Sequence, residues 1–140
     1  MERKSGVLLH ISSLNSGYSI GSLGRGARDF CDLISECGFS VWQVLPLCIT
    51  DSYNSPYTSY ASFIENPYFL DLETLYKKGL ITEDELMSSR EESPYLCEFE
   101  RLKEQRIPLL KRAAKRAYQN KELRSLITPG VYSNPCPLSQ

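Results

Sequence analysis

The segment from Cys48 to Pro67 carries the most chemistry in this chain. It sets Tyr53, Tyr57, Tyr60 and Phe63 among Asn54, Ser55, Thr58 and Ser59. Flat aromatic faces stack on the C–H groups of pyranose rings, and a tyrosine adds a phenol to the same rigid side chain. Amides and hydroxyls between the rings supply hydrogen bonds for sugar hydroxyls. The pattern therefore fits a carbohydrate contact, and on composition alone it equally fits a packed aromatic loop.

Other reactive groups are sparse. Glycoside chemistry needs two carboxylates facing one bond. Most of the 17 acidic residues fall at helix starts or on charged helix faces, where they serve the helix dipole and solvation. Asp71 alone lies in an apolar stretch, and there a cap or ion-pair role competes with catalysis. His10 is the sole histidine. On a strand it reads as a hydrogen-bonded core residue, with no nearby partner for a Ser-His-Asp arrangement. Cys31, Cys37, Cys48, Cys97 and Cys136 form no C-x-x-C pair, so they read as buried, reduced thiols rather than metal ligands. No phosphate-binding glycine loop is present.

The elements that must hold these groups begin with Val7 to Ser12, an apolar strand of the kind buried on both faces. A Gly/Ser-rich connection runs from Ser12 to Gly26, a length typical of functional or disordered loops. A helix over 27–37 follows, with Phe30, Leu33, Ile34 and Cys37 as its apolar stripe and Gly38 as its stop. Val41 to Leu47 reads as a second strand, ended by Pro46. Strand, helix and strand within about 40 residues make a βαβ unit with parallel strands. That places the aromatic loop after a strand's carboxyl end, where α/β folds build their sites.

Phe69 to Leu72 could be a third strand or a packed edge. Thr82 and Glu85 form a capping box opening a short helix. Residues 98–118 read as a helix that Pro108 kinks or divides. The expected division is 1–75 for the βαβ unit with its loop, 76–127 for a helical segment and 128–140 for an irregular tail.

The totals narrow the class. The chain has 140 residues, 41% of them hydrophobic and 24% charged, enough for a real core. A net charge of −1 gives no basic excess for nucleic acid or an anionic membrane surface. No apolar run reaches the roughly 18 to 20 residues that span a bilayer, and no signal-peptide pattern opens the chain. The expected location is the cytoplasm.

Two blocks resemble the amylomaltase family of 4-α-glucanotransferases. The first is Ser5-Gly-Val-Leu-Leu-His-Ile-Ser-Ser-Leu14, with Ile20-Gly-Ser-Leu-Gly24 and Trp42-Gln-Val-Leu-Pro-Leu47. The second is Asn54-Ser-Pro-Tyr-Thr-Ser59, with Ala61-Ser-Phe63, Asn66-Pro67 and Leu70-Asp-Leu72. With Gly79-Leu-Ile-Thr82 they extend over residues 3–118. The resemblance implies an α/β fold, the N-terminal part of a (β/α)8 TIM-type barrel with a helical insertion. It implies transfer of α-1,4-glucan segments to a sugar 4-hydroxyl through a covalent glycosyl-enzyme, without a cofactor or metal. Maltooligosaccharides are then the partners.

By the same resemblance Tyr57 stacks on the sugar beside the scissile bond, and Ser55 shares its loop. Two positions depart from the pattern. Ser52 stands where many members carry an aromatic of a second glucan groove, with Tyr53 next to it, and Asn15 replaces a usual proline. The family's catalytic carboxylates lie on later strands, so no residue here is assigned a catalytic role and the isolated chain is expected to be inactive. The alternative is a stand-alone, non-catalytic glucan-binding or subunit-pairing remnant.

Overall fold

The structure is a computed structural model that describes residues 3–123, with the side chains of residues 60–63 outside that description. Strand β1 spans Gly6–Leu8, helix α1 Arg25–Glu36 and strand β2 Val41–Gln43. β1 and β2 pair in parallel, Val7 opposite Trp42, so the expected βαβ unit is present. Both strands are shorter than their apolar runs. Ile11–Ser13 turns into a 3-10 helix, and β2 stops three residues before Pro46. The pair is not buried on both faces: Leu8 and Val41 are exposed.

α1 buries Ala27 and Ile34 and sets Phe30 edge-on against Trp42 at 5.0 Å. Leu33 and Cys37, expected on the same stripe, are exposed. The buried line is therefore 27, 30 and 34, rotated from the predicted one. Gly38 follows the helix with φ +81°, the left-handed stop that a glycine adopts without strain.

The long connection between β1 and α1 is neither disordered nor an open loop. Leu14, Tyr18 and Ile20 are core residues. The segment around residue 98 pins it: the Glu98 amide donates to the Ser19 carbonyl at 3.0 Å, and the Ser19 hydroxyl donates to the Glu98 carboxylate at 2.5 Å. The buried Arg106 guanidinium donates to the Tyr18 carbonyl at 2.5 Å. Burial lowers the pKa of that guanidinium to about 10, still fully charged at neutral pH.

Cys48–Thr50 (β3) and Ser59–Glu65 (β4) pair antiparallel with irregular register. The aromatic segment is thus a hairpin, and only Asp51 to Thr58 is loop. Phe69 to Leu72 is no strand. Pro67–Phe69 is a 3-10 turn, and Asp71 caps helix α2, Leu72–Lys77, by accepting from the Thr74 amide at 3.0 Å. Helix α3, Glu83–Ser88, has the predicted capping box, with Glu85 and Thr82 bonded reciprocally at 3.0 and 3.3 Å.

The last long helix is divided as Pro108 requires. A short α4, Phe99–Arg101, runs into a π-helical stretch, Leu102–Arg106, and α5 spans Ile107–Gln119 with Pro108 in its first turn. Pro108 cannot donate back to the preceding turn, and the register changes there. One core cluster joins Leu72, Ile81, Leu86, Leu109 and Ala113; another joins Ile11, Ile20, Phe69 and Leu102.

The thiols depart from expectation. Cys31 and Cys37 are exposed and Cys48 and Cys97 half-buried, with no disulfide among them, whereas Cys136 lies outside the described residues. No helix among the described residues is long and apolar enough to cross a membrane.

Candidate functional site

The hairpin loop is held from below by one aspartate. The Asp51 carboxylate accepts from the amides of Tyr53, at 3.0 Å, and Ser55, at 3.4 Å. The Asp51 carbonyl accepts from Asn54 and the Ser55 carbonyl from Thr58, closing two consecutive turns. Asn54 takes φ +58°, a left-handed conformation that asparagine tolerates better than most side chains. The Ser55 hydroxyl accepts from the Tyr57 amide at 3.4 Å. The loop is thus ordered by its own polar side chains, which leaves its rings free of structural duty.

Tyr57 and Tyr53 project into solvent, 76% and 88% exposed. Ser55 is half-buried and Ser52 exposed. Tyr60 and Phe63 lie on β4, and their side chains fall outside the description.

Under the loop lies a cavity of about 230 Å³. His10, Ser12 and Leu45, which follow β1 and β2, line it together with Asn54 and Pro56 of the loop, Asn66 and Phe69. The site therefore stands beyond the carboxyl ends of two parallel strands. Its lining combines aromatic faces with amides and hydroxyls, and no acidic residue lines it. Asp71 is elsewhere, occupied by the α2 cap and by the Thr74 hydroxyl at 2.6 Å.

His10 corrects its expectation. It is half-buried, with its ring edge against Phe69 at 5.4 Å, and its Nδ1 lacks the hydrogen bond that a core histidine should make. Its Nδ1 is the one buried side-chain atom without a partner among the described residues. Burial lowers the pKa of the imidazole, so the ring is neutral at physiological pH. Asn54 stood among the polar residues that the sequence offered for sugar contacts, and Asn66 and Ser12 within family-like blocks. Asn66 and Ser12 reach the cavity only through tertiary folding. No group of three or more His, Cys, Asp or Glu among the described residues is placed to hold a metal ion.

The cavity presents aromatic faces, amides and hydroxyls, and no carboxylate. A family profile described as 4-alpha-glucanotransferase matches residues 9–128. The chain belongs to the 4-α-glucanotransferase family. It is 39% identical over 123 residues to the 4-alpha-glucanotransferase of Streptococcus pneumoniae, covering 84% of this chain and 24% of the relative. It is 47% identical over 77 residues to that of Clostridium butyricum, covering 55% of this chain and 16% of the relative. Among solved structures, an amylomaltase from Streptococcus agalactiae in complex with acarbose superposes with a TM-score of 0.84 at 33% identity, over 91% of this chain and 26% of that one. The chain thus spans about a quarter or less of the 4-α-glucanotransferases it matches. Its mixed helix–strand fold is shared with an amylomaltase.

Proposed function

We propose that this chain is the N-terminal portion of a 4-α-glucanotransferase and forms one wall of its glucan cleft. The βαβ unit with its loop, 1–75, would then be the first part of a (β/α)8 barrel, and 76–127 a helical insertion. The observation that carries this reading is the Asp51-braced loop, which holds Ser55 and Tyr57 and whose Asn54 and Pro56 line a cavity at the carboxyl ends of parallel strands. Tyr57 supplies a face for a sugar ring, and the Ser55 hydroxyl positions it by accepting from the Tyr57 amide. The partners are α-1,4-glucans and maltooligosaccharides. The reaction is retaining: an aspartate attacks the anomeric carbon while a glutamic acid protonates the departing oxygen, and the acceptor 4-hydroxyl, giving its proton to that glutamate, then displaces the aspartate. Those carboxylates come from outside this chain, in keeping with a cavity that has none.

The test is a chimera of the pneumococcal relative in which this chain replaces the matched 123 residues. It should convert maltotriose to longer and shorter oligosaccharides on chromatography, while the 140-residue chain alone should not. Tyr57→Ala in the chimera should lower kcat/KM about tenfold, equivalent to about 1.4 kcal/mol of lost sugar contact. Unchanged kinetics would make the loop purely structural. Transfer by the isolated chain would place the carboxylates within it.

A further inference from the structure

The order Ser55-Pro56-Tyr57 occurs a second time in the chain, as Ser93-Pro94-Tyr95. The two turns are built alike. In each the serine hydroxyl accepts from the tyrosine amide, at 3.4 Å in both. In each the tyrosine ring stands in solvent, 76% exposed at Tyr57 and 89% at Tyr95. The proline between them fixes its own φ, so each ring is carried on a short, stiff support.

The segment that carries Tyr95 is tied down at both ends. The Glu91 amide donates to the Gly17 carbonyl at 3.1 Å, and the Glu98 amide to the Ser19 carbonyl at 3.0 Å. The Cys97 thiol donates to the Ser12 carbonyl at 3.3 Å. Within the segment the Glu92 amide donates to the Glu98 carboxylate at 3.2 Å. Between this segment and the connection after β1 lies a cavity of about 230 Å³. Ser12, Ser13 and Asn15 line it with hydroxyls and an amide, Glu91 with a carboxylate, and Tyr95 and Leu96 with apolar surface. Ser12, Ser13 and Ile20 also line the cavity under the hairpin loop, so the two hollows adjoin.

The lining selects the ligand. An apolar ring beside hydroxyls, an amide and a carboxylate suits a neutral ring with a C–H face and a hydroxyl edge. No lysine or arginine lines the cavity, and the Glu91 carboxylate repels an anion, which disfavours phosphates and nucleotides. The clamped ends leave little ordering to be done when a ligand settles.

We propose that Tyr95 and the cavity between residues 12–21 and 91–97 form a second sugar-binding site, which holds a further ring of the same glucan that stacks on Tyr57. Tyr95 supplies the stacking face. The Ser12 and Ser13 hydroxyls, the Asn15 amide and the Glu91 carboxylate meet the hydroxyls of that ring. The site is distinct from position 52, since Ser52 lines neither cavity. It rests on the glucanotransferase reading above, from which it takes its ligand.

The test uses the chimera described above and maltooligosaccharides of increasing length. In Tyr95→Ala the loss should grow with length, KM rising about tenfold for maltoheptaose and less than about twofold for maltotriose. Tyr95→Trp keeps a stacking face and should stay within about twofold of the unmodified chimera at every length. An unchanged KM for maltoheptaose in Tyr95→Ala would overturn the proposal. So would an equal loss at all lengths, which would put Tyr95 in the service of the fold or of the Tyr57 cavity, or a Trp variant as weak as the Ala variant. Retardation of the chimera in native gels containing amylose is a second readout that needs no transfer, and Tyr95→Ala should reduce it. A chimera that does not transfer, yet whose retardation falls with Tyr95→Ala, upholds the sugar site and removes the glucanotransferase reading. Transfer that is indifferent to Tyr95→Ala removes the site and leaves that reading standing. A chimera neither active nor retarded by amylose removes both.

Discussion

Glu85 does three jobs with one carboxylate. It closes the capping box with Thr82, accepts from Arg112 at 2.8 Å, and accepts from Arg116 at 2.5 Å. The Arg116 hydrogen bond is the largest of the effects that bring its pKa down to about 2. The folded protein therefore keeps this carboxylate ionised where the unfolded chain protonates it, near 4.5. Its contribution is complete above pH 4.5 and is lost as pH falls from there toward 2. In Glu85→Gln, denaturant titrations should show lower stability at pH 7 and a flatter loss across that window. A parallel acid slope in both proteins would mean the ion pairs contribute nothing. His10 has the opposite character. Its buried Nδ1 has no partner, and an apolar ring there removes an unpaired group. His10→Phe should leave the melting temperature unchanged or raise it. It should also abolish the stability loss below pH 6.5, where the unfolded histidine takes up a proton that the folded one resists. A clear fall in melting temperature would mean that the imidazole is hydrogen-bonded after all.

Elements, more than single residues, decide how the site is built. The 3-10 turn after β1 brings Ile11 and Leu14 against Gly21, whose amide donates to the Ser12 carbonyl at 3.1 Å. A Cβ on Gly21 would stand 1.8 Å from the Ile11 carbonyl oxygen, inside backbone that cannot yield. Gly21→Ala should therefore destabilise the chain by about 1–3 kcal/mol in urea unfolding, the usual cost of overpacking. Wild-type stability would show that the turn can open. Local signals read well wherever one element satisfies itself. The Thr82–Glu85 box, the Gly38 stop and the break at Pro108 each depend on groups a few residues apart. The β3–β4 hairpin was missed because Cys48–Thr50 is short and the facing strand lacks apolar alternation. Its pairing is made of cross-strand bonds that the pattern within either strand does not encode. Leu33 and Cys37 were expected to be covered because periodicity reports an apolar face and not whether anything packs on it.

Across the whole molecule the same division holds. Apolar periodicity and strand–helix–strand spacing determined the parallel βαβ unit, because these depend on 2.0- and 3.6-residue repeats set by backbone geometry. Order and spacing of the Ser55-Pro56-Tyr57 loop and its flanking blocks determined the family, now supported by a match over residues 9–128. Tertiary structure decided the rest. The Ser12–Gly26 segment became core because Glu98 and Arg106, some 80 residues later, supply its hydrogen-bond partners. Asp71 became a helix cap when its neighbours turned instead of extending. His10, Asn54 and Asn66 came to share one cavity because β1, the hairpin and the turn at Pro67 converge there. Contacts between residues far apart in the chain depend on which of many apolar surfaces meet, and that is settled only when the whole core packs at once.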